Sequence, residues 1–197
     1  MSTAGLLLAA GEGRRMGTPK ALLRDGAGVP FLDRAVGRLL DGGCASVTVV
    51  LGAAAEEARS VLEEAGWCED DAVDVVVSPD WAEGMGASLR TGLRHLVTAP
   101  DEVTSVIVLL VDLPDVDDAV VRRVVDGAGG SRDVLARASY DGSAGHPVLL
   151  GRGHWDGVVA QASGDRGARD YLRGREVRLV ECGDLATGRD VDTPDHL

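Results

Sequence analysis

The sequence predicts an α/β fold: a doubly wound, mostly parallel sheet with helices on both faces, three layers in all. Three observations carry this. Apolar runs of strand length alternate with helical patterns through the first two thirds of the chain. Val106–Val111 is apolar without interruption, as a strand covered on both faces must be. A Gly-rich loop, Gly11–Gly17, follows the first apolar run, and in such sheets the loops at the carboxyl ends of strands are where ligands bind.

The elements follow in order. Leu6–Ala9 reads as the first strand. Phe31–Leu40 has helical spacing at Phe31, Leu32, Ala35, Val36, Leu39 and Leu40, and Gly42-Gly43 stops it. Val47–Leu51 is a strand, Ala53–Ala65 a helix closed by Gly66, and Val73–Val77 a strand. Ala87–Val97 repeats the helical pattern through Leu89, Leu93 and Leu96. Val116–Val125 is helical and ends in Gly127, Gly129 and Gly130. The last third is less regular: strands at Val134–Ala138 and Pro147–Leu150 around the turn Asp141-Gly142, short helices at Trp155–Ala162 and Ala168–Leu172, and a strand at Val177–Glu181. No repeat, linker or low-complexity stretch interrupts the pattern, so one domain over residues 1–197 is expected.

The composition excludes several functions. The formal charge is −12 over 197 residues and aromatics make up 3%. An acidic surface repels nucleic acid, and base-stacking platforms are scarce. No apolar run approaches the roughly 18 residues of a membrane helix. Leu6–Ala10 is too short for a signal-peptide core, so the cytoplasm is the expected location. Cys44, Cys68 and Cys182 fit neither a disulfide framework nor a zinc cluster and read as buried thiols. Lys20 is the sole lysine beside 19 arginines. That bias toward Arg singles out Lys20, because Arg does not always replace a compact ammonium.

The segment from Leu7 to Lys20, Leu-Leu-Ala-Ala-Gly-Glu-Gly-Arg-Arg-Met-Gly-Thr-Pro-Lys, holds the chemistry. Its glycines let backbone N–H groups approach an anion, and Arg15 and Lys20 add charge. It is not a dinucleotide fingerprint, since Met16 stands where the third glycine belongs. It is not a P-loop either, since neither Gly11 nor Gly13 has a glycine five residues on and Lys20 follows Pro19.

The string does resemble the signature loop L-x-A-A-G-x-G-x-R-M-G-x-P-K of the molybdenum cofactor cytidylyltransferases and their molybdopterin guanylyltransferase relatives. Later segments are similar in order to later motifs of that family: Trp81–Arg90, Asp112-Leu113-Pro114, Gly145-His146-Pro147-Val148, Gly164–Arg169 and Asp190–Asp195. Together they span nearly the whole chain. Ala10 and Pro19 resemble the cytidylyl branch, whereas the guanylyl branch tends to carry Gly and Asp there.

The resemblance implies a Rossmann-like fold of the nucleotide-diphospho-sugar transferase type. It implies Mg²⁺-dependent transfer of a nucleoside monophosphate, CMP favoured, from an NTP to a phosphate-bearing acceptor of the molybdenum cofactor type, with release of pyrophosphate. A molybdenum enzyme receiving the product is an implied partner. Asp112 and Asp192 are the implied metal ligands. Pro114 keeps the strand before Asp112 from continuing, and Asp190 and Asp192 share one face of an extended chain. Lys20 and Arg15 hold the triphosphate, and Gly11 and Gly13 offer backbone donors. Leu8, Ala9, Ala10, Gly84 and Ser88 surround the base and ribose. Gly145, His146, Asp165, Gly167 and Ala168 fall on the acceptor side, the last three as a helix start with free N–H groups.

Plainer readings stand beside these. Asp112 also suits a turn, Ser88 a helix cap, Asp190 and Asp192 a solvated tail, and Arg14 a solvated loop. Trp81 and Trp155 suit either a pterin-like ring or simple packing, and Trp67 packing. His95, His154 and His196 read as structural or exposed. Three other functions stay open: a nucleotidyltransferase for another small phosphate, an NAD(P)H-dependent reductase on the same scaffold, and a nucleotide-binding maturation partner without catalysis.

Overall fold

In the computed structural model, which describes residues 1–13 and 17–190, the expected alternation of strands and helices is present. Strand β1 (Ser2–Ala9) leads through a loop to helix α1 (Phe31–Asp41). There follow β2 (Val47–Leu51), α2 (Ala55–Glu64), β3 (Val73–Val77), α3 (Met85–Leu96), β4 (Val103–Leu110) and α4 (Asp118–Ala128). The last third supplies β5 (Leu135–Tyr140), β6 (Ser143–Gly151), α5 (Trp155–Gln161), α6 (Arg169–Leu172) and β7 (Arg178–Glu181). The strands form a single seven-stranded sheet in the order β3-β2-β1-β4-β6-β5-β7. Only β6 runs against the others.

Several boundaries differ from the expected ones, each for a local reason. β1 begins at Ser2 rather than Leu6, and β4 at Val103 rather than Val106. The extra residues are mostly small or polar and give no apolar signal, yet Thr3, Ala4, Thr104 and Ser105 are buried because both strands are central. The Thr3 and Ser105 hydroxyls satisfy each other at 2.8 Å. Helix α2 starts at Ala55 rather than Ala53, because Ala54 is left-handed (φ 55°). Helix α4 starts at Asp118 rather than Val116, because the Asp117 carboxylate accepts from Val120 N at 3.1 Å and caps it.

Strand alternation divides the core into two layers. Leu7, Val49, Ile107 and Leu109 meet α1, α2 and α4 on one face. Leu6, Leu8, Val106 and Val108 meet α3, α5 and α6 on the other. Trp155 belongs to this second layer. It is 2% exposed, its indole N–H donates to Leu150 O at 3.0 Å, and it is core rather than part of a pocket. Trp67 packs on the first layer and donates to Asp33 at 2.7 Å. Cys44 and Cys182 are buried as expected, and burial pushes the Cys44 thiol up to about 12, which keeps it inert. Cys68 is only half-buried, a departure from expectation, because it lies in the short turn after α2. His154 is structural, its ring nitrogens meeting Tyr171 Oη and Asp133 O at 2.9 Å each. Among the described residues no helix is long and apolar enough to cross a membrane.

From β1 the sheet grows in one direction through β2 and β3 and in the other through β4. The strand order reverses at β1, and a crevice opens beyond the carboxyl ends of β1 and β4. The Gly-rich loop and Asp112 both stand at that crevice.

Candidate functional site

A cavity of about 350 Å³ occupies the crevice. Its floor is Leu8 and Ala10 at the end of β1 with Leu110 and Val111 at the end of β4. One wall is the loop of Gly11, Glu12, Gly13 and Lys20, and the opposite wall is the turn and helix start from Trp81 to Met85 with Ser88. Asp112 and Asp165 complete the rim. That volume lies in the range of small-molecule sites.

The loop is shaped by Gly13. Its φ is +63°, and a Cβ there would lie 2.0 Å from the Thr18 carbonyl oxygen, so only glycine permits this closure. Gly17 N then donates to Gly13 O at 3.0 Å, and the chain re-enters through the single 3₁₀ turn Lys20–Leu22, anchored by buried Ala21. This turn aims the Lys20 ammonium at Asp112, with Nζ 2.5 Å from Oδ2. The other carboxylate oxygen of Asp112, Oδ1, is buried and has no hydrogen-bond partner among the described residues. A buried carboxylate oxygen left without a donor is costly unless a ligand or cation satisfies it. The chemistry of this donor fits a hard cation such as Mg²⁺. Among the described residues no three His, Cys, Asp or Glu side chains group to hold a metal by themselves. Such a cation would therefore share Asp112 with ligand oxygens, the usual habit of Mg²⁺.

Two arginines brace the walls. Arg38 of α1 donates to Pro114 O at 2.8 Å and to Leu113 O at 3.4 Å, fixing the two residues that follow Asp112. Arg90 of α3 joins Glu83 Oε2 at 2.7 Å to Ala162 O at 2.8 Å. It thus ties the Trp81–Glu83 turn to the segment that carries Asp165. Arg38 has no motif to mark it.

The expected site residues divide in two. Leu8, Ala10, Gly11, Gly13, Lys20, Gly84, Ser88 and Asp112 line the one cavity. Ala9 does not, because alternation turns its side chain into the opposite core layer. The carbonyls of Leu8 and Ala10 already accept from Val111 N and Ala53 N at 3.2 and 3.0 Å, so a ligand would use their second lone pairs. Ser88 is not a cap: Gly84 stands at the start of α3, and Ser88 is buried one turn inside. Trp81 lines the cavity, seated against Ala10 because Gly52 beneath has no Cβ to clash with either. Arg15 and Asp192 lie outside the described residues, and Asp190 is exposed.

The five residues assigned to the acceptor side do not stay together. Asp165 joins the nucleotide-type cavity, its Oδ1 close over Gly84. Asp165 begins no α-helix: it sits in the 3₁₀ turn Gly164–Arg166, and α6 starts only at Arg169 and has four residues. The expected helix N-terminus for a phosphate is therefore absent from this stretch. Gly167 (φ +50°) packs on Met85 Sδ, and Ala168 packs against the second core layer. Gly145 and His146 lie in β6, outside the cavity, and burial with help from Arg137 and Arg169 pulls the His146 imidazole down to about 4. His146 is thus neutral at pH 7.

Close approach makes one substitution informative. A Cβ on Gly86 would stand 2.6–2.8 Å from backbone atoms of Ser163, so α3 and the Asp165 segment must part to admit it. Gly86→Ala is expected to cost about 1–3 kcal/mol of stability and to weaken nucleotide binding. Thermal unfolding and a CTP titration check both, and an unchanged CTP affinity would separate this seam from the cavity.

Residues 5–181 match the MobA-like NTP transferase domain. A nicotine blue oxidoreductase of Paenarthrobacter nicotinovorans is 37% identical over 98% of this chain and 93% of its own length. The crystal structure of Rv0371c from Mycobacterium tuberculosis H37Rv superposes with a TM-score of 0.78 at 30% identity, covering 99% of this chain and 94% of that one. A manganese complex of Rv0371c gives 0.74 at 25% identity, over 97% and 94%. The seven-stranded, mostly parallel sheet agrees with these matches, and the chain belongs to the MobA-like nucleotidyltransferase family.

Proposed function

We propose that the protein moves a nucleoside monophosphate from an NTP to a small phosphate-bearing acceptor. CTP is the favoured donor, and a pterin of the molybdenum cofactor type is the favoured acceptor. The observation that carries this is the Lys20–Asp112 pair at 2.5 Å, with a second, unpartnered Asp112 oxygen beside a Gly-rich loop.

The reaction joins two polyanions, so charge repulsion and alignment dominate its barrier. An acceptor phosphate oxygen bonds to the α-phosphorus, and the bond from that phosphorus to the bridging oxygen of the β-phosphate breaks. Lys20 neutralises the departing pyrophosphate, and Arg15 does the same in the motif reading. The backbone N–H groups around Gly11 and Gly13 hold the β- and γ-phosphates. Leu8, Ala10 and Trp81 bound the base, and Ser88 and Gly84 the ribose. Asp112 is the ligand for Mg²⁺, which supplies charge stabilisation at the phosphates when bound.

Asp192 is the second proposed ligand. Thr187 supports this: its N–H and hydroxyl donate to Asp115 at 2.6 and 2.5 Å, which ties the tail three residues from Asp112. Five further residues of extended chain span up to about 18 Å. The preference for CTP rests on Ala10 and Pro19, and the acceptor on motif order. A molybdenum enzyme is the proposed recipient of the product, and neither nucleic acid nor membrane is a proposed partner.

The test is pyrophosphate release with each NTP, Mg²⁺ or Mn²⁺, and a panel of phosphate acceptors. Release with CTP and molybdopterin supports the full reading, and release with another acceptor corrects only the acceptor. A second reading, NAD(P)H-dependent reduction, is favoured by the oxidoreductase relative. Oxidation of NAD(P)H with a dye acceptor and no pyrophosphate under any condition would replace the first reading by the second.

A further inference from the structure

Asp112 stands beyond the end of β4, so the sheet alone does not set its carboxylate. Strand β4 ends at Leu110, and Val111 N still donates to Leu8 O at 3.2 Å. Past that point the chain leaves the ladder. On the side that faces α1 it is not backed by close packing. A cavity of about 120 Å³ lies there, lined by Val111 and Pro114 together with Asp25, Phe31, Arg34 and Arg38. The Arg38 guanidinium supplies the support that packing leaves out, through Leu113 O and Pro114 O. Asp115, Asp117 and Asp118 are near enough to favour its charge, yet among the described residues none is within ion-pair distance. Its two terminal amino groups are given to the carbonyls instead. A charged donor makes the stronger hydrogen bond, and the planar fork holds two acceptors in fixed relation.

The same helix holds the other half of the pair. Phe31 N, at the start of α1, donates to Leu23 O at 2.9 Å, and Leu23 N donates to Lys20 O at 3.2 Å. Both Leu23 and Phe31 are buried, so the Lys20 turn is fastened to the first residue of α1. Arg38 lies seven residues further, about 10 Å along the helix axis. Lys20 and Asp112 are 92 residues apart in the chain, and one rigid element joins the turn of the first to the loop of the second.

We propose that Arg38 is a positioning residue for nucleotidyl transfer: by gripping Leu113 O and Pro114 O it keeps one Asp112 oxygen on Lys20 and leaves the other for a divalent cation. The inference rests on the nucleotidyltransferase reading for what the pair does, and on the α1 contacts alone for how the pair is held. Arg38 touches neither substrate nor metal, since it lies outside the nucleotide cavity.

The sole lysine of the chain makes the test direct, because ¹³C-labelled lysine gives one Cε signal, that of Lys20. Asp112→Ala marks where this signal falls when the pair is broken. Arg38→Met keeps most of the apolar stem and removes both donors. It is expected to move the Lys20 signal toward the Asp112→Ala position. It should also lower turnover by about 10–100-fold, with a smaller change in the KM for CTP. Arg38→Lys holds one carbonyl at a time, so both readings should fall between those of the wild type and Arg38→Met. A merely structural arginine would lower the unfolding temperature and leave the Lys20 signal of the folded protein in place. An unmoved signal in folded Arg38→Met would overturn the proposal, and so would a moved signal with wild-type turnover. Should Arg38→Met not fold, Arg38→Lys is read in the same way, and wild-type values there would overturn it. No pyrophosphate from the wild type with any NTP would sink the nucleotidyltransferase reading, while the Lys20 signal still decides how the pair is held.

Discussion

Asp112→Ala is expected to lower NTP-dependent pyrophosphate release by about 10³-fold, some 4 kcal/mol of transition-state stabilisation, in a protein that still folds. Asp112 is 9% exposed and only one of its oxygens is bonded within the described residues, to Lys20. The folded state therefore gains little from this carboxylate, because desolvation and a missing partner offset the ion pair. Asp112→Asn sharpens the test, since it keeps the shape and removes the charge. Its unfolding temperature is expected to match or exceed that of the wild type while activity stays lost. A wild-type rate in either variant would remove Asp112 from the metal assignment. A large loss of stability would show that the pair serves the fold instead.

Lys20→Arg is expected to lower turnover by about 10²-fold and to raise the KM for the NTP less than the turnover falls. The ammonium reaches Asp112 from a one-turn 3₁₀ helix whose next residue, Ala21, is fully buried. The backbone cannot retreat to make room for a planar guanidinium, and the fork would bridge Asp112 rather than present a compact charge to a departing pyrophosphate. Steady-state kinetics with varied CTP separates the two parameters. A wild-type rate would mean that the one lysine in a chain otherwise rich in arginine has no special duty.

Much of this architecture was legible in the residues themselves. The uninterrupted Val106–Val111 run marks the central strand, and Gly11, Gly13 and Lys20 mark the loop beside it. The ends of β1 and β4 were not legible, because Ser2, Thr3, Thr104 and Ser105 are buried by neighbouring strands, a tertiary effect that periodicity does not record. Asp165 was assigned to the acceptor because Gly164–Arg169 reads as a turn entering a helix. The helix begins later, and the close approach at Gly84 brings Asp165 into the cavity beside the Gly-rich loop. Arg38 carries no signature, since it sits on an ordinary amphipathic helix. Its meaning comes from partners 75–76 positions away. Arg15 and Asp192 are legible only through the motifs.

The reversed strand β6 has a consequence for how such a protein diversifies. Every group proposed to grip the triphosphate or metal within the described residues precedes it in the chain. The two halves of the sheet are stitched by four residue pairs, from Ser105–Gly151 to Val108–Val148. Changes beyond that seam can retune which second molecule is accepted without disturbing the machinery upstream. One ancestral chemistry can then be paired with many recipients by editing a hairpin.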